Sequence, residues 1–578
     1  MIAGAALERP ATDRVGSVIG PGTLAAGDIR ASPAERRRFL QVAGGVTAAV
    51  TILLIILANR AADGHLVYVI DDPAIHMSMA RQLANHGTWG VMNGVYEPAS
   101  SSPLWTASLA AVSWFIPSSL NLLPLIFNAI AAGVVLWVFA SNQTFVTPRR
   151  GQPISYLATA AMPVVLLFLP GMIMLGMEHV LHSVLILFAG LLLVRLEATA
   201  LNPRSIAPLL GVLFVAGTVR VETVFFALGI AVALLVRRSV TFSTPDISWT
   251  WFAALRTGAL AVGVSGLPFA IYGVINRGFG RSFLPNSVIA KAAQADRGPF
   301  RSPGRVLEAV TSDPILIIFG LVAIAYLAWV GVSGRNAHVL SAVTLIVALL
   351  AQAEWGDIGW WNRYQMYLIM FGTLVICRMA TEVTVPATIR PALLVFLLTF
   401  AAVSTGRLGL TIATPLASSN TYRQRYQIGK FFETEYQGRP VATGELGYAT
   451  LFHDGTVVDL LGLGTYEITV EMRDHGGQVP AKTVEAILAK NHVEAIAVYP
   501  LTFATSKEPA GLWHAGRWVL REHNVSGFQD TVDFYASNER DGRILERRLK
   551  AYSHHLPSRV KYQNRNTLLA SFFKHPPK

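Results

Sequence analysis

The sequence predicts a polytopic α-helical membrane protein that carries a soluble α/β domain at its C-terminal end. Three observations lead there. Of 578 residues, 52% are hydrophobic and only 14% charged, with a mean hydropathy of +0.45, whereas soluble domains carry about 25% charged residues. Apolar stretches recur from residue 42 to residue 406. Beyond about residue 407 the sequence turns polar and mixed.

The first 40 residues are rich in Ala, Gly and Arg and end in Arg36-Arg37-Arg38, ahead of the apolar run Val42 to Ala58. That run is long and lies far from the start, which favours an uncleaved first helix over a signal peptide, and the arginines place the N-terminus on the cytoplasmic side. Further spans are expected near 104–141 (one long or two short), 154–170, 179–195, 206–236 (two short), 254–275, 314–333, 338–353, 364–380 and 390–406. At roughly 17–25 residues per span this gives about eleven or twelve helices. The loops holding Arg149-Arg150, Arg237-Arg238, Arg335 and Arg378 share the cytoplasmic face if 104–141 crosses an odd number of times, as a partly inserted helix near 104–116 would ensure; that count gives an even total and a cytoplasmic tail, whereas two crossings break the parity of the loops and give an exported tail.

In the tail, Val457 to Leu461 reads as a short strand, Ala481 to Lys490 as an amphipathic helix and Val493 to Tyr499 as a buried strand. This β/α alternation predicts a small α/β domain. The expected divisions are an N-terminal tail (1–40), a transmembrane domain (41–406) and a soluble domain (407–578).

The net charge of +12 sits largely in short loops and the tail, where Lys and Arg set topology or meet anionic lipid, so nucleic acid is not an expected partner. The single cysteine, Cys377, excludes an intramolecular disulfide. The tail must hold together by its core.

The most informative local feature is Asp71-Asp72, about a dozen residues beyond the first span. An acidic pair at a membrane boundary is a functional-site candidate by default. In Asp71-Asp72-Pro73-Ala74-Ile75-His76, Asp72 suits an N-cap, Pro73 the first helical position and Gly87 the C-terminal cap. Ile75, Met79 and Leu83 form one apolar face, so this helix is expected to lie on the membrane surface. The helix dipole favours an ionised carboxylate at its start, which can accept a proton. One aspartate suffices for capping, which leaves Asp71 free for chemistry. His76 could serve a phosphate or sugar, or be a plain polar contact. Ser102-Pro103-Leu104-Trp105 then turns into the next helix, with Trp105 at interface depth.

These residues carry a resemblance. An apolar helix, then Asp71-Asp72 with His76 and Arg81, then Ser102-Pro103-Leu104-Trp105, resembles the first exported loop of the GT-C superfamily of polyprenyl-phosphate-sugar glycosyltransferases. Gly176-Met177-Glu178, Arg220 with Glu222, Leu284-Pro285-Asn286-Ser287 with Ala290-Lys291, and Trp361-Asn362-Arg363-Tyr364 resemble later signatures of its branch similar to mycobacterial terminal arabinofuranosyltransferases. Gly444-Glu445-Leu446-Gly447-Tyr448 with Asp459-Leu460-Leu461-Gly462-Leu463 is similar to that branch's tail domain. Leu175 before Gly176 and Val221 after Arg220 depart from the pattern.

The resemblance implies sugar transfer from a polyprenyl-phosphate donor to a glycan or lipid acceptor, with inversion, on the outer face of a bacterial plasma membrane. It puts the tail outside, makes Asp71 the first candidate for the catalytic base beside Asp72, and favours a pentose of the arabinofuranose type, with mannose the alternative. Such chemistry needs a base on the acceptor hydroxyl and cations on the departing phosphate. Lys291 and Arg363 are the candidates for the phosphate, with Asn286 and Tyr364 as further substrate-binding residues. Glu178, a further candidate for substrate binding, could be a second acid or part of a metal site: beside His179 and His182 it has the spacing of metal ligands on a helix, but no further ligand joins them, so a divalent metal is possible without being required and no cofactor is expected. Arg220 and Glu222 read equally as a structural ion pair or a substrate contact. A transporter, the alternative from another class, would show repeated halves; no internal repeat is visible, and the acidic pair lies in a loop.

Overall fold

The structure is a computed structural model that describes residues 32–142, 153–197, 201–239, 250–294, 301–333, 338–380, 390–526 and 529–567. Among the described residues six helices are long and apolar enough to cross a membrane: Pro33–Ala61, Leu123–Asn142, Ser155–Leu175, His179–Leu196, Trp251–Gly278 and Pro314–Ser333. Pro203–Val219, Thr223–Arg237, Val339–Trp355 and Met366–Met379 are shorter apolar helices packed among them. The chain is a multi-pass membrane protein. The loops with Arg149-Arg150 and Arg335 lie outside the described residues.

The 104–141 stretch divides into Pro103–Phe115, a short 3-10 turn at Pro117–Ser119, and Leu123–Asn142. Thirteen residues reach only ~20 Å, short of the ~30 Å apolar layer. Leu123–Asn142 alone is long enough to cross. Trp105, expected at interface depth, is 1% exposed and packs edge-on against Phe127.

The helix expected to end near 406 runs from Arg390 to Thr421 and leads through a π-helical turn, Tyr422–Tyr426, into Gln427–Glu435. A six-stranded sheet follows: β1 Val441–Thr443, β2 Val457–Asp459, β3 Ala495–Val498, β4 Trp513–Leu520, β5 Thr531–Ala536 and β6 Val560–Asn564, in the order β2-β1-β3-β5-β4-β6. Strands β2, β1 and β3 are parallel; β5 then pairs antiparallel with β3, β4 antiparallel with β5 and β6 antiparallel with β4. The amphipathic helix Ala481–Lys490 forms where expected, while β2 stops at Asp459 instead of continuing through Leu461.

The helix Asp72–His86 does not lie with its apolar face on a membrane surface. Ile75 and Met79 enter the same core as Phe431, Phe432 and Leu446 of the tail, and Ala80 packs with Trp105 and Leu109. The apolar spacing was satisfied by the tail domain instead of lipid.

Candidate active site

The acidic pair is split between two environments. Asp71, not Asp72, is the N-cap; Asp72 is the first helical residue, Pro73 follows it, and Gly87 closes the helix in the left-handed region. The Asp71 carboxylate does not cap its own helix. It reaches the tail, where one oxygen accepts the Gly447 N–H at 2.6 Å and the other the Tyr448 N–H at 3.2 Å. Those amides open the short helix Leu446–Phe452 after β1. Any Cβ on residue 447 would lie 2.6 Å from the Asp71 carboxyl, so glycine is required there. Asp71 is 6% exposed. Burial, then repulsion from Glu445, pushes its carboxyl up to about 7, against the pull of Arg425 and the Gly447 amide.

Asp72 faces the other way. Its Oδ2 lies 2.6 Å from Arg363 Nη2, with the Asp72 side chain 34% exposed and that of Arg363 3%. Burial opposes ionisation of Asp72, but Arg363 and Lys291 hold it below the usual carboxylate range.

Arg363 is positioned by an unusual turn. Gly359, Trp360, Trp361 and Asn362 all have positive φ, at 95°, 45°, 63° and 54°. Left-handed tryptophans are strained and persist only where surroundings over-determine them. Gln365 supplies this: its Oε1 accepts the Gly359 N–H at 3.0 Å, and its Nε2 donates to Asn362 Oδ1 at 3.1 Å and Asp313 Oδ2 at 2.9 Å. Arg407, on the helix entering the tail, closes on the same Asp313 oxygen at 2.5 Å.

Tyr364 gathers three cations. Its hydroxyl accepts from Arg363 Nη2 at 2.8 Å and Lys291 Nζ at 3.0 Å. Arg363, Lys291 and Arg220 lie 4.8, 5.2 and 5.6 Å from its ring centroid, within cation–π range. Burial opposes ionisation of this phenol, but Arg363 and Lys291 lower it overall. Nε and Nη1 of Arg363 are buried and find no hydrogen-bond partner among the described residues.

Glu178 and Arg220 complete the cluster. Arg220 Nη1 donates to Glu178 Oε1 at 2.8 Å, and its other face grips Glu222 through Nε at 3.0 Å and through Nη2. Arg220 thus belongs to an ion-pair network and also faces the Tyr364 ring. His76 Nε2 stands 3.8 Å from Glu178 Oε2, while its Nδ1 meets Thr106 Oγ1 at 2.9 Å and Ser100 Oγ at 3.3 Å. Burial is the main force keeping His76 below its ordinary pKa, with Glu178 and Asp72 opposing. Burial works against ionised Glu178 too, but the adjacent histidine and Arg220 hold it well below the usual range. The tight turn at Gly176 has φ 72°, and any side chain there would collide with the Tyr68 ring.

Asp72, His76, Glu178, Arg220, Lys291, Arg363 and Tyr364 therefore converge, Asp72 and His76 from the helix Asp72–His86, Lys291 from the helix Asn286–Gln294 and the others from the junctions between helices. Asn286 does not join them. Its Nδ2 donates to Glu97 Oε2 at 2.9 Å and the Leu463 carbonyl at 3.3 Å, sewing the first loop to the tail. Glu97 also pairs with Arg281 at 2.9 Å. Ser100 and Thr106, which orient His76, carried no sequence signal beyond a serine-rich turn. His182 turns to Thr223 at 3.0 Å, and among the described residues no group of three or more His, Cys, Asp or Glu is placed to hold a metal ion.

Residues 415–537 match the model of a domain of unknown function, DUF8728, which covers less than half of the chain. No curated protein matches the sequence. Among solved structures, the chain is similar to the oligosaccharyltransferase of Archaeoglobus fulgidus in a complex with Zn and sulfate, at 12% identity and a TM-score of 0.40, over 89% of this chain and 74% of that one. The same enzyme tethered to an acceptor peptide containing the NVT sequon matches at 11% identity and a TM-score of 0.39, over 86% and 74%.

Proposed function

We propose that this protein is a membrane glycosyltransferase that moves a sugar from a polyprenyl-phosphate donor to a hydroxyl of a glycan or lipid acceptor, with inversion. The observation that carries the reading is the meeting of a partly exposed carboxylate, Asp72, with Arg363, Lys291 and Tyr364, where Arg363 keeps two buried N–H-bearing nitrogens unpartnered. Buried donors without partners are costly and suit a ligand rich in acceptor oxygens.

In the proposed step Asp72 accepts the acceptor hydroxyl proton and the freed oxygen forms a bond to the anomeric carbon. The bond from that carbon to the phosphate oxygen breaks, and its electron pair leaves with the phosphate. Arg363 and Lys291 stabilise that charge. A single displacement inverts the anomeric centre. The base role falls to Asp72 because both Asp71 oxygens already accept backbone N–H groups. The residue resemblance favours a pentose donor of the arabinofuranose type and an outward-facing site, and supplies mannose as the second choice.

The test uses membranes containing the full chain, supplied with polyprenyl-phosphate arabinofuranose or polyprenyl-phosphate mannose. Transfer from one donor, lost in Asp72→Asn, is the expected result; turnover retained in that variant rules out the mechanism. Mass spectrometry of lipid copurifying with Asp72→Asn identifies the sugar independently.

A further inference from the structure

We propose that Arg363 is a shared ligand: it holds the Asp72 carboxylate until the donor's phosphodiester takes its place, so that donor binding itself releases the base. This rests on the glycosyltransferase reading and adds an order of events to it.

The contact between Arg363 and Asp72 is lopsided. Guanidinium and carboxylate pair best through two parallel hydrogen bonds, yet Asp72 is engaged here through Nη2 alone at 2.6 Å, the nitrogen that also donates to Tyr364. Nε and Nη1 remain buried without partners. Carboxylates and phosphates fit the same planar fork. A phosphodiester offering two oxygens can therefore satisfy nitrogens that Asp72 leaves unmet.

Mobility is unequal as well. Arg363 is 3% exposed and follows a left-handed turn pinned by Gln365 and Asp313. Asp72 is 34% exposed at the first residue of its helix. In an exchange the guanidinium stays and the carboxylate turns away. Lys291, on an exposed position of its helix, and the Tyr364 hydroxyl can give up their mutual bond to the same phosphate.

The exchange has a chemical consequence. A carboxylate held against a guanidinium is a poor proton acceptor, and the positive charge of Arg363 keeps Asp72 ionised and weakly basic. Once a phosphate neutralises Arg363, Asp72 regains basicity close to the anomeric carbon. The base is then competent only when a donor is loaded, which enforces donor before acceptor.

The test measures binding of methyl farnesyl phosphate, a phosphodiester of constant charge, to the full-length protein in detergent. Wild type, Asp72→Asn, Arg363→Gln and the double variant form a cycle, with Asp72→Ser as a second removal of the carboxylate and thermal melting as the check on folding. If Asp72 competes for Arg363, Asp72→Asn and Asp72→Ser bind the probe about tenfold more tightly than wild type, and the gain disappears in the Arg363→Gln background. Unchanged or weaker binding without the carboxylate overturns the exchange. An equal gain in both backgrounds also overturns it, since that reports only a lost negative charge. Absence of probe binding in all five folded proteins overturns the glycosyltransferase reading together with it, whereas probe binding that ignores Asp72 sinks the exchange alone.

Discussion

Asp71 and Asp72 are adjacent in sequence and end up in opposite electrostatic worlds. Asp71 enters the tail, is buried against backbone amides beside Glu445, and is pushed up to about 7. Asp72 stays about one-third exposed against Arg363 and is held low. The difference comes from what each faces. Asp71 occupies the mouth of a helix that follows a parallel strand, the place where open α/β sheets receive anionic ligands. The membrane domain thus supplies the tail with an internal hydrogen-bond acceptor, while the neighbouring carboxylate stays outside that seam.

The largest effect that would sharpen this comparison is expected at Arg363. On the proposed reaction, Arg363→Gln removes a charge that would meet the departing phosphate and should reduce sugar transfer about 100- to 1,000-fold, the size seen when one stabilising donor is deleted. Radiolabelled sugar transfer in membranes measures it. Full activity in that variant would detach Arg363 from the reaction and leave it a structural partner of Asp72.

The next effect is on assembly. Asp71→Ala leaves the Gly447 and Tyr448 amides buried without acceptors and should cost about 1–3 kcal/mol of stability. Asp71→Asn keeps one acceptor oxygen and should cost less. Gly447→Ala pushes a methyl against the same carboxyl and should destabilise by about 1–3 kcal/mol through overpacking. Thermal melting in detergent reads all three. A melting temperature indifferent to both positions would mean that this seam contributes nothing to holding the tail.

Much of the architecture was legible because it follows from composition and period. Apolar runs gave the spans, and the spacing of Val484, Ile487 and Leu488 gave the helix Ala481–Lys490. The candidate residues stood out by chemical type: of segments far apart in sequence, Arg220, Lys291 and Arg363 meet around the Tyr364 ring, and Glu178 joins them through Arg220. Partnership was not legible. Nothing local distinguishes Asp71 from Asp72, because the amides that capture Asp71 lie 376 positions away in the sequence. Ile75 and Met79 showed an apolar face but not whether lipid or protein would cover it. Asn286 read as a substrate ligand because its partner, Glu97, is set by a tertiary contact.

The smallest expected effect is a pH dependence that isolates the seam from the reacting cluster. Asp71 and Glu97 both lie between the membrane domain and the tail, and burial is the first cause that raises each to about 7. An unfolded aspartate or glutamate titrates near 4. Between about pH 4 and pH 7 the folded protein therefore binds more protons than the unfolded chain, so stability falls as pH rises through that window and levels off above it. Buried His76, held below its ordinary pKa in the fold and titrating near 6.5 when unfolded, adds an opposite rise below about pH 6.5, so the readout is the difference in melting temperature between wild type and variant across pH 5.5–7.5. Asp71→Asn and Glu97→Gln should each remove part of the falling component, and the double variant the sum of the two. Asp72→Asn should leave the slope in this window intact, because a carboxylate held below the usual range is already ionised at pH 5.5 in both states. A slope that vanishes in Asp72→Asn but survives in Asp71→Asn would exchange the electrostatic environments of the two aspartates and make Asp72, not Asp71, the carboxyl that burial pushes up.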